Sequence, residues 1–209
     1  MNDEPSPNIS AEDERIPRGT LVLMAVLVEG GMFVLALIFG ALAGHGPLEG
    51  MRWSPRDFGV ALLATTPLLV LLLIVTHVPF GPLRRLQHTV QSDLVPLFRE
   101  CTLLDLAIIS LLAGLGEEAL FRGFLQPWIG GWTSPLMGWV AASVLFGLAH
   151  LVTVTYAVLA MLMGLYLGWL WLAVEKNLLV VILVHGLYDF AAFVYLLKFH
   201  QQPKEIPED

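Results

Sequence analysis

The chain has 209 residues, 56% of them hydrophobic and only 14% charged, with a formal net charge of −7 and a mean hydropathy of +0.74. A soluble domain carries about a quarter charged residues, and the apolar residues here fall in blocks close to the roughly 20 needed to cross a bilayer as a helix. Those numbers exclude an ordinary soluble domain, and eleven scattered Lys plus Arg make no nucleic-acid surface.

In chain order, residues 1–18 read as a disordered polar tail. The tail has no basic start running into an apolar core and a small-residue cleavage site, so it is not a secretory signal peptide. The first apolar block covers 20–44 and carries Glu29 in LVEGGMF; GHGP at 44–47 ends it. The second covers 58–78 and stops at VPFGP. Residues 83–101, LRRLQHTVQSDLVPLFREC, mix charges with apolar residues at helical spacing, the pattern of an amphipathic helix lying on a membrane surface. A third block, 102–126, ends in a break expected across QPWIGGWTSP at 126–135. The fourth, 135–151, is the shortest; the fifth covers 154–174 and the sixth 178–199, with a break at EKN between them and a polar tail at 200–209. Only helices satisfy their backbone within lipid when the chain is open. The expected fold is therefore all-α: one polytopic bundle of about six transmembrane helices over 19–199.

A charge near the bilayer centre costs at least ~2.5–3.5 kcal/mol on insertion scales and usually faces the bundle interior. Glu117, Glu118 and Arg122 lie on the third span, His150 closes the fourth, and His185 and Asp189 lie on the sixth. Glu118 and Arg122 are i, i+4 with the acid first, the favourable order for an ion pair. Glu117 is turned about 100° away, toward the bundle centre. His185 and Asp189 share a face, so Asp189 is placed to fix the imidazole tautomer or to help hold a water or metal. Phe146 stands one turn from His150. Counted at 1.5 Å per residue from the 127–134 end, Glu117 lies roughly 14 Å deep, His150 roughly 22 Å and His185 about 10 Å. That spread is within what helix tilt accommodates, and the mouth of a shared site is expected on the 127–134 side. One acid and two imidazoles suit water activation, with Glu as general base and His as co-base, metal ligand or oxyanion donor.

Other polar residues have simpler expectations. Glu29 reads as a structural hydrogen bond or a protonated carboxyl, with a second functional acid as the alternative. Asp105 and His77 sit near helix ends, at the interface. Tyr188 reads as packing, with substrate contact as the alternative, and Trp128, Trp132, Trp139, Trp169, Trp171 and Tyr195 suit an aromatic belt or packing. The single cysteine, Cys101, rules out an intramolecular disulfide or a multi-cysteine metal site and reads as structural.

The set resembles the CPBP family, the CAAX protease and bacteriocin-processing type of intramembrane protease, also called Abi. Its EExxxR motif stands as EEALFR at Glu117, Glu118 and Arg122; FxxxH stands as FGLAH at Phe146 and His150; HxxxN/D stands as HGLYD at His185 and Asp189. The resemblance covers about residues 95–195. It implies that Glu117 activates the attacking water, that His150 and His185 position it or bind a metal, that Asp189 completes the site, and that Glu118, Arg122 and Phe146 support it. Asp189 stands where eukaryotic-type prenyl-protein proteases have Asn and matches many prokaryotic forms. Members of the family are described both as metalloproteases and as glutamate-dependent enzymes. Glu117, His150, His185 and Asp189 are the candidate ligands of a divalent ion such as Zn²⁺, HExxH is absent, and no tightly bound metal is the expectation.

The chain thus reads as an intramembrane endopeptidase of a bacterial cell membrane. Its partners are the lipid bilayer and a membrane protein or lipidated peptide substrate. Two other classes stay open: a non-proteolytic scaffold or bacteriocin-immunity-type protein, and a small proton-coupled transporter. Arg15, Arg18, Arg84, Arg85, Arg99, Lys198 and Lys204 share the side of the termini, against Arg52, Arg56 and Lys176 on the other. That asymmetry puts the termini in the cytoplasm and, with the mouth at 127–134, the site outside. CAAX-processing members work on cytosolic tails, so the two expectations conflict.

Overall fold

Most of the helices begin where a short polar side chain can cap them. In the computed structural model, which describes residues 16–199, the side chains of Ser54, Thr102, Ser134, Thr153 and Asn177 each accept a first-turn backbone N–H. The helices are α1 (Arg18–Ala43), α2 (Pro55–His77), α3 (Gly81–Thr89), α4 (Val95–Phe98), α5 (Leu103–Glu118), α6 (Gln126–Trp132), α7 (Pro135–Ala149), α8 (Val154–Ala173) and α9 (Leu178–Lys198). The fold is the all-α membrane bundle expected. Most of both polar tails, 1–15 and 200–209, falls outside the described residues.

Three of the four expected breaks stand. Gly44 ends α1 in the left-handed region, VPFGP separates α2 from α3, and the EKN turn uses left-handed backbone at Glu175 (φ 54°) and Lys176 (φ 62°). The break at 126–135 is narrower than expected, because helix continues through Pro127 to Trp132. Pro127 has no N–H to return to residue 123, and the chain widens into a π-helical segment, Ala119–Leu125, rather than stopping. The same device precedes Pro96, where Val90–Leu94 is π-helical and joins α3 to α4. The third span is therefore one rod, 103–132, with a π-helical middle beside its charges.

By length and composition α1, α2, α8 and α9 are each able to cross a membrane. α7, with 15 residues, is the short span expected. Only 11% of the most apolar window of α1 is buried, against 39% in α9, so α1 lies on the lipid-facing edge and α9 in the centre. Val180, Val181 and Val184 of α9 are fully buried.

Lipid tails offer no hydrophobic gain for pairing apolar helices, so helix contact depends on close packing of small residues. On α5, a Cβ at Gly114 would come within 2.7 Å of the Ile182 carbonyl oxygen and 3.0 Å of the Gly186 nitrogen, which brings α5 directly onto α9. Two residues on, the space a Gly116 Cβ would need is taken by the carbonyl of Glu29, which brings α1 onto the same turn. These two contacts decide what surrounds Glu117 and Glu118.

Candidate active site

Successive glutamates on α5 point to different neighbours, as their 100° separation requires. Glu118 faces inward and is fully buried. Its Oε1 accepts from Arg122 Nη1 at 2.7 Å and from His185 Nδ1 at 2.8 Å. Arg122, equally buried, donates Nη2 to the Gly164 carbonyl of α8 at 3.1 Å and stacks its guanidinium 4.5 Å from the centre of the Phe146 ring. One carboxylate thus ties α5, α9 and, through Arg122, α8.

Glu117 faces the cavity. Its Oε2 lies 3.6 Å from His150 Nε2 and 4.0 Å from His185 Nε2 and has no hydrogen-bond partner among the described residues. Both imidazoles are held from behind. His150, the C-terminal cap of α7, bonds through Nδ1 to the Phe146 carbonyl at 2.8 Å. A carbonyl only accepts, so Nδ1 carries the proton and Nε2 is the free nitrogen. His185 is anchored through Nδ1 by Glu118. The Phe146 ring supports both, stacked 4.6 Å from His150 and edge-on 5.9 Å from His185.

Asp189 Oδ2 lies 3.4 Å from His185 Nε2. It is on the cavity side of the ring, and Glu118, rather than Asp189, anchors Nδ1. Spacing along α9 alone shows that His185 and Asp189 share a face; the competing acid comes from another helix.

The cavity has a volume of about 490 Å³ and takes in Glu117, His150, His185 and Asp189, a size suited to a small ligand or a peptide segment. Its walls include Phe98, Val152 and Leu197, which lie at the end of the bundle opposite the 127–134 loop. The mouth expected at 127–134 is therefore misplaced. At that end α6 and α7 are jammed together: Gly138 sits against the Gln126 carbonyl and Gly130, Gln126 is buried and donates to Gly168, and Trp139 donates to Leu165 at 2.8 Å. Depth counted along a helix does not say which end packing fills.

The 81–98 helix is amphipathic as expected, yet it also walls the cavity with Leu86, Val90, Leu94 and Val95. Gln87 anchors it by donating to the Val75 carbonyl of α2 at 2.6 Å. Tyr156, unremarked in the sequence, lines the cavity with its ring 6.0 Å from that of His150; Tyr188 lines it too. Glu29 also reaches it, with Oε2 buried and unpartnered among the described residues. Asp105 is outside the site: it forms a capping box with Thr102 and a two-point pair with Arg18 at 2.7 and 2.8 Å. His77 is the last residue of α2, and Trp132 is largely exposed whereas Trp171 is buried.

Two Nε2 atoms and the carboxylates of Glu117 and Asp189 have the chemistry of a divalent-metal set. As placed, however, no group of three or more His, Cys, Asp or Glu among the described residues is arranged to hold an ion.

Residues 99–191 match the family described as Type II CAAX prenyl endopeptidase Rce1-like. That interval holds Glu117, Glu118, Arg122, Phe146, His150, His185 and Asp189, whereas α1 to α4 precede it. No curated protein and no solved structure matches the chain.

Proposed function

We propose, from the match of residues 99–191 to the Type II CAAX prenyl endopeptidase Rce1-like family, that the chain is an intramembrane protease in which Glu117 activates a water to hydrolyse a peptide bond of a membrane protein or lipidated peptide. The observation that carries this reading is Glu117 Oε2, unpartnered and 3.6 and 4.0 Å from two imidazole nitrogens. Those separations are too long for direct hydrogen bonds and suit a water held by all three groups.

Glu117 takes a proton as the water oxygen attacks the peptide carbonyl carbon, and His150 Nε2 accepts the second hydrogen bond of that water. His185, carrying protons on both nitrogens between Glu118 and Asp189, donates Nε2–H to the oxygen on which charge develops. Glu117 then returns its proton to the leaving nitrogen as the C–N bond breaks. Glu117, His150, His185 and Asp189 would have to close in from the positions they hold here to bind a divalent ion such as Zn²⁺; the steps above do not run through it. Cleavage that persists in 1,10-phenanthroline supports the water mechanism, whereas loss restored by Zn²⁺ makes those residues ligands.

The cavity opens at the end that carries Arg18, Arg84, Arg85, Arg99 and Lys198. By the positive-inside rule that end is cytosolic, so a cytosolic substrate tail has access, and the conflict between charge asymmetry and cytosolic processing disappears. The apolar walls suit a substrate that arrives from the bilayer.

The test compares protein termini in membranes of cells carrying wild type or Glu117→Gln at equal abundance. New peptide ends that depend on Glu117 are expected, together with a loss of at least roughly 10²-fold in cleavage of a fluorescence-quenched farnesylated CAAX peptide by the purified variant. Identical termini from both proteins would replace the protease reading with a binding scaffold.

A further inference from the structure

We infer that Glu29, on α1 and outside the matched interval, is a substrate-binding residue that accepts a backbone N–H of the peptide beside the scissile bond. The inference rests on the protease reading. Its grounds are independent of the matched motifs, since nothing in 99–191 calls for an acid on α1.

Glu29 is held at the site by backbone. Gly116 leaves no room between α5 and the Glu29 carbonyl, so the residue sits beside Glu117 whatever its side chain does. The side chain turns into the same cavity as Glu117, His185 and Asp189. Its Oε2 is buried with no hydrogen-bond partner among the described residues. An acid midway along a lipid-facing helix is costly, and no hydrogen bond to Oε2 from the described residues offsets that cost.

A peptide entering an apolar cavity loses the water bound to its N–H groups, and an unreplaced hydrogen bond is expensive. The cavity must supply an acceptor. Three carboxylates line it: Glu29, Glu117 and Asp189. Glu117 is committed to the attacking water and Asp189 lies against His185, so of the three carboxylates Glu29 is the one with no part in the chemistry. α1 thereby acts as the second jaw of the site, holding the peptide while α5 and α9 carry the chemistry.

The experiment uses the full-length purified protein and the quenched farnesylated CAAX peptide. Glu29→Ala should raise KM roughly tenfold or more, the loss expected when a desolvated peptide N–H is left without its acceptor, and leave kcat within about threefold. Glu29→Gln keeps an acceptor oxygen in the same volume and should restore KM to within about threefold of wild type. Binding of the labelled peptide to Glu117→Gln protein, which does not turn over, should weaken in parallel with Glu29→Ala and recover with Glu29→Gln. A purely structural residue would shift melting and yield without this split. Glu117-dependent cleavage with unchanged KM and binding in Glu29→Ala overturns the Glu29 inference and leaves the protease reading intact. So does a Gln variant as impaired as Ala. Absence of both cleavage and binding in the wild type overturns the two together.

Discussion

Arg122→Ala would leave the fully buried Glu118 carboxylate without the guanidinium paired with it, His185 alone remaining. Removing one partner of a buried pair costs about 3–5 kcal/mol, so the expected result is little folded protein and a lower melting temperature in detergent. Replacing both, Glu118→Leu with Arg122→Met, removes the two charges together and should recover much of the yield. It should not recover cleavage, because His185 Nδ1 loses the acceptor that directs its Nε2 into the cavity. Recovery of both would show that Glu118 is only architectural. Cys101 lies outside the spans, half-buried. Burial first, then Asp105, pushes its thiol above the usual range. A raised thiol stays protonated at neutral pH and is a poor nucleophile, so Cys101→Ser should cleave the peptide like wild type, and alkylation should be slow until the pH passes the ordinary thiol range.

Where α1 meets α5, the identity of one glycine sets the geometry. Gly116→Ala puts a methyl group where the Glu29 carbonyl stands, and α1 must retreat from the turn that carries Glu117. The expected outcome is a lower melting temperature, read from tryptophan fluorescence, and a raised KM because Glu29 moves with its backbone. Gly31→Ala is the control on the same helix: nothing lies within 4 Å of the added carbon, and Ala is the better helix former by roughly 0.5–1 kcal/mol. Equal damage from both would show that the α1–α5 contact does not position the site. The π-helical turn 119–125 is also a property of the element. It arises because Pro127 lies inside a helix that neighbours on α7 and α8 hold in place, so the ladder stretches instead of breaking.

For the whole molecule, chemical labelling tests the orientation. In a Cys101→Ser background, Glu100→Cys stands at the mouth end and Glu175→Cys at the opposite end; both positions are exposed. A membrane-impermeant maleimide should reach Glu175→Cys in intact cells and Glu100→Cys only in inverted vesicles. The reverse pattern would put the cavity on the outer face and its substrates with it. The α1–α2 and α8–α9 turns are joined at the Glu175 end, where Asn177 bonds Arg52 and Asp57 and Arg52 pairs with Glu175 at 3.2 Å. The charge asymmetry between the two ends thus belongs to one packed bundle.

Composition and periodicity alone determined the all-α membrane class, the helix limits at Gly44, Val78 and Asn177, and the pairing of Glu118 with Arg122, because each depends on residues within a turn or two of one another. Spacing also placed His150 and His185 on faces able to meet Glu117. Tertiary structure decided the rest. Glu118 rather than Asp189 holds the His185 ring, because the choice depends on how α5 crosses α9 at Gly114 and Gly186. The 81–98 helix is a cavity wall as well as a surface helix, because α2 offers Gln87 a carbonyl. The mouth lies at the Phe98 and Leu197 end, because α6 and α7 fill the other. Glu29 joins the site through a glycine 87 positions away. A helical repeat reports which residues share a face, and only the packing of that face against others reports what it touches.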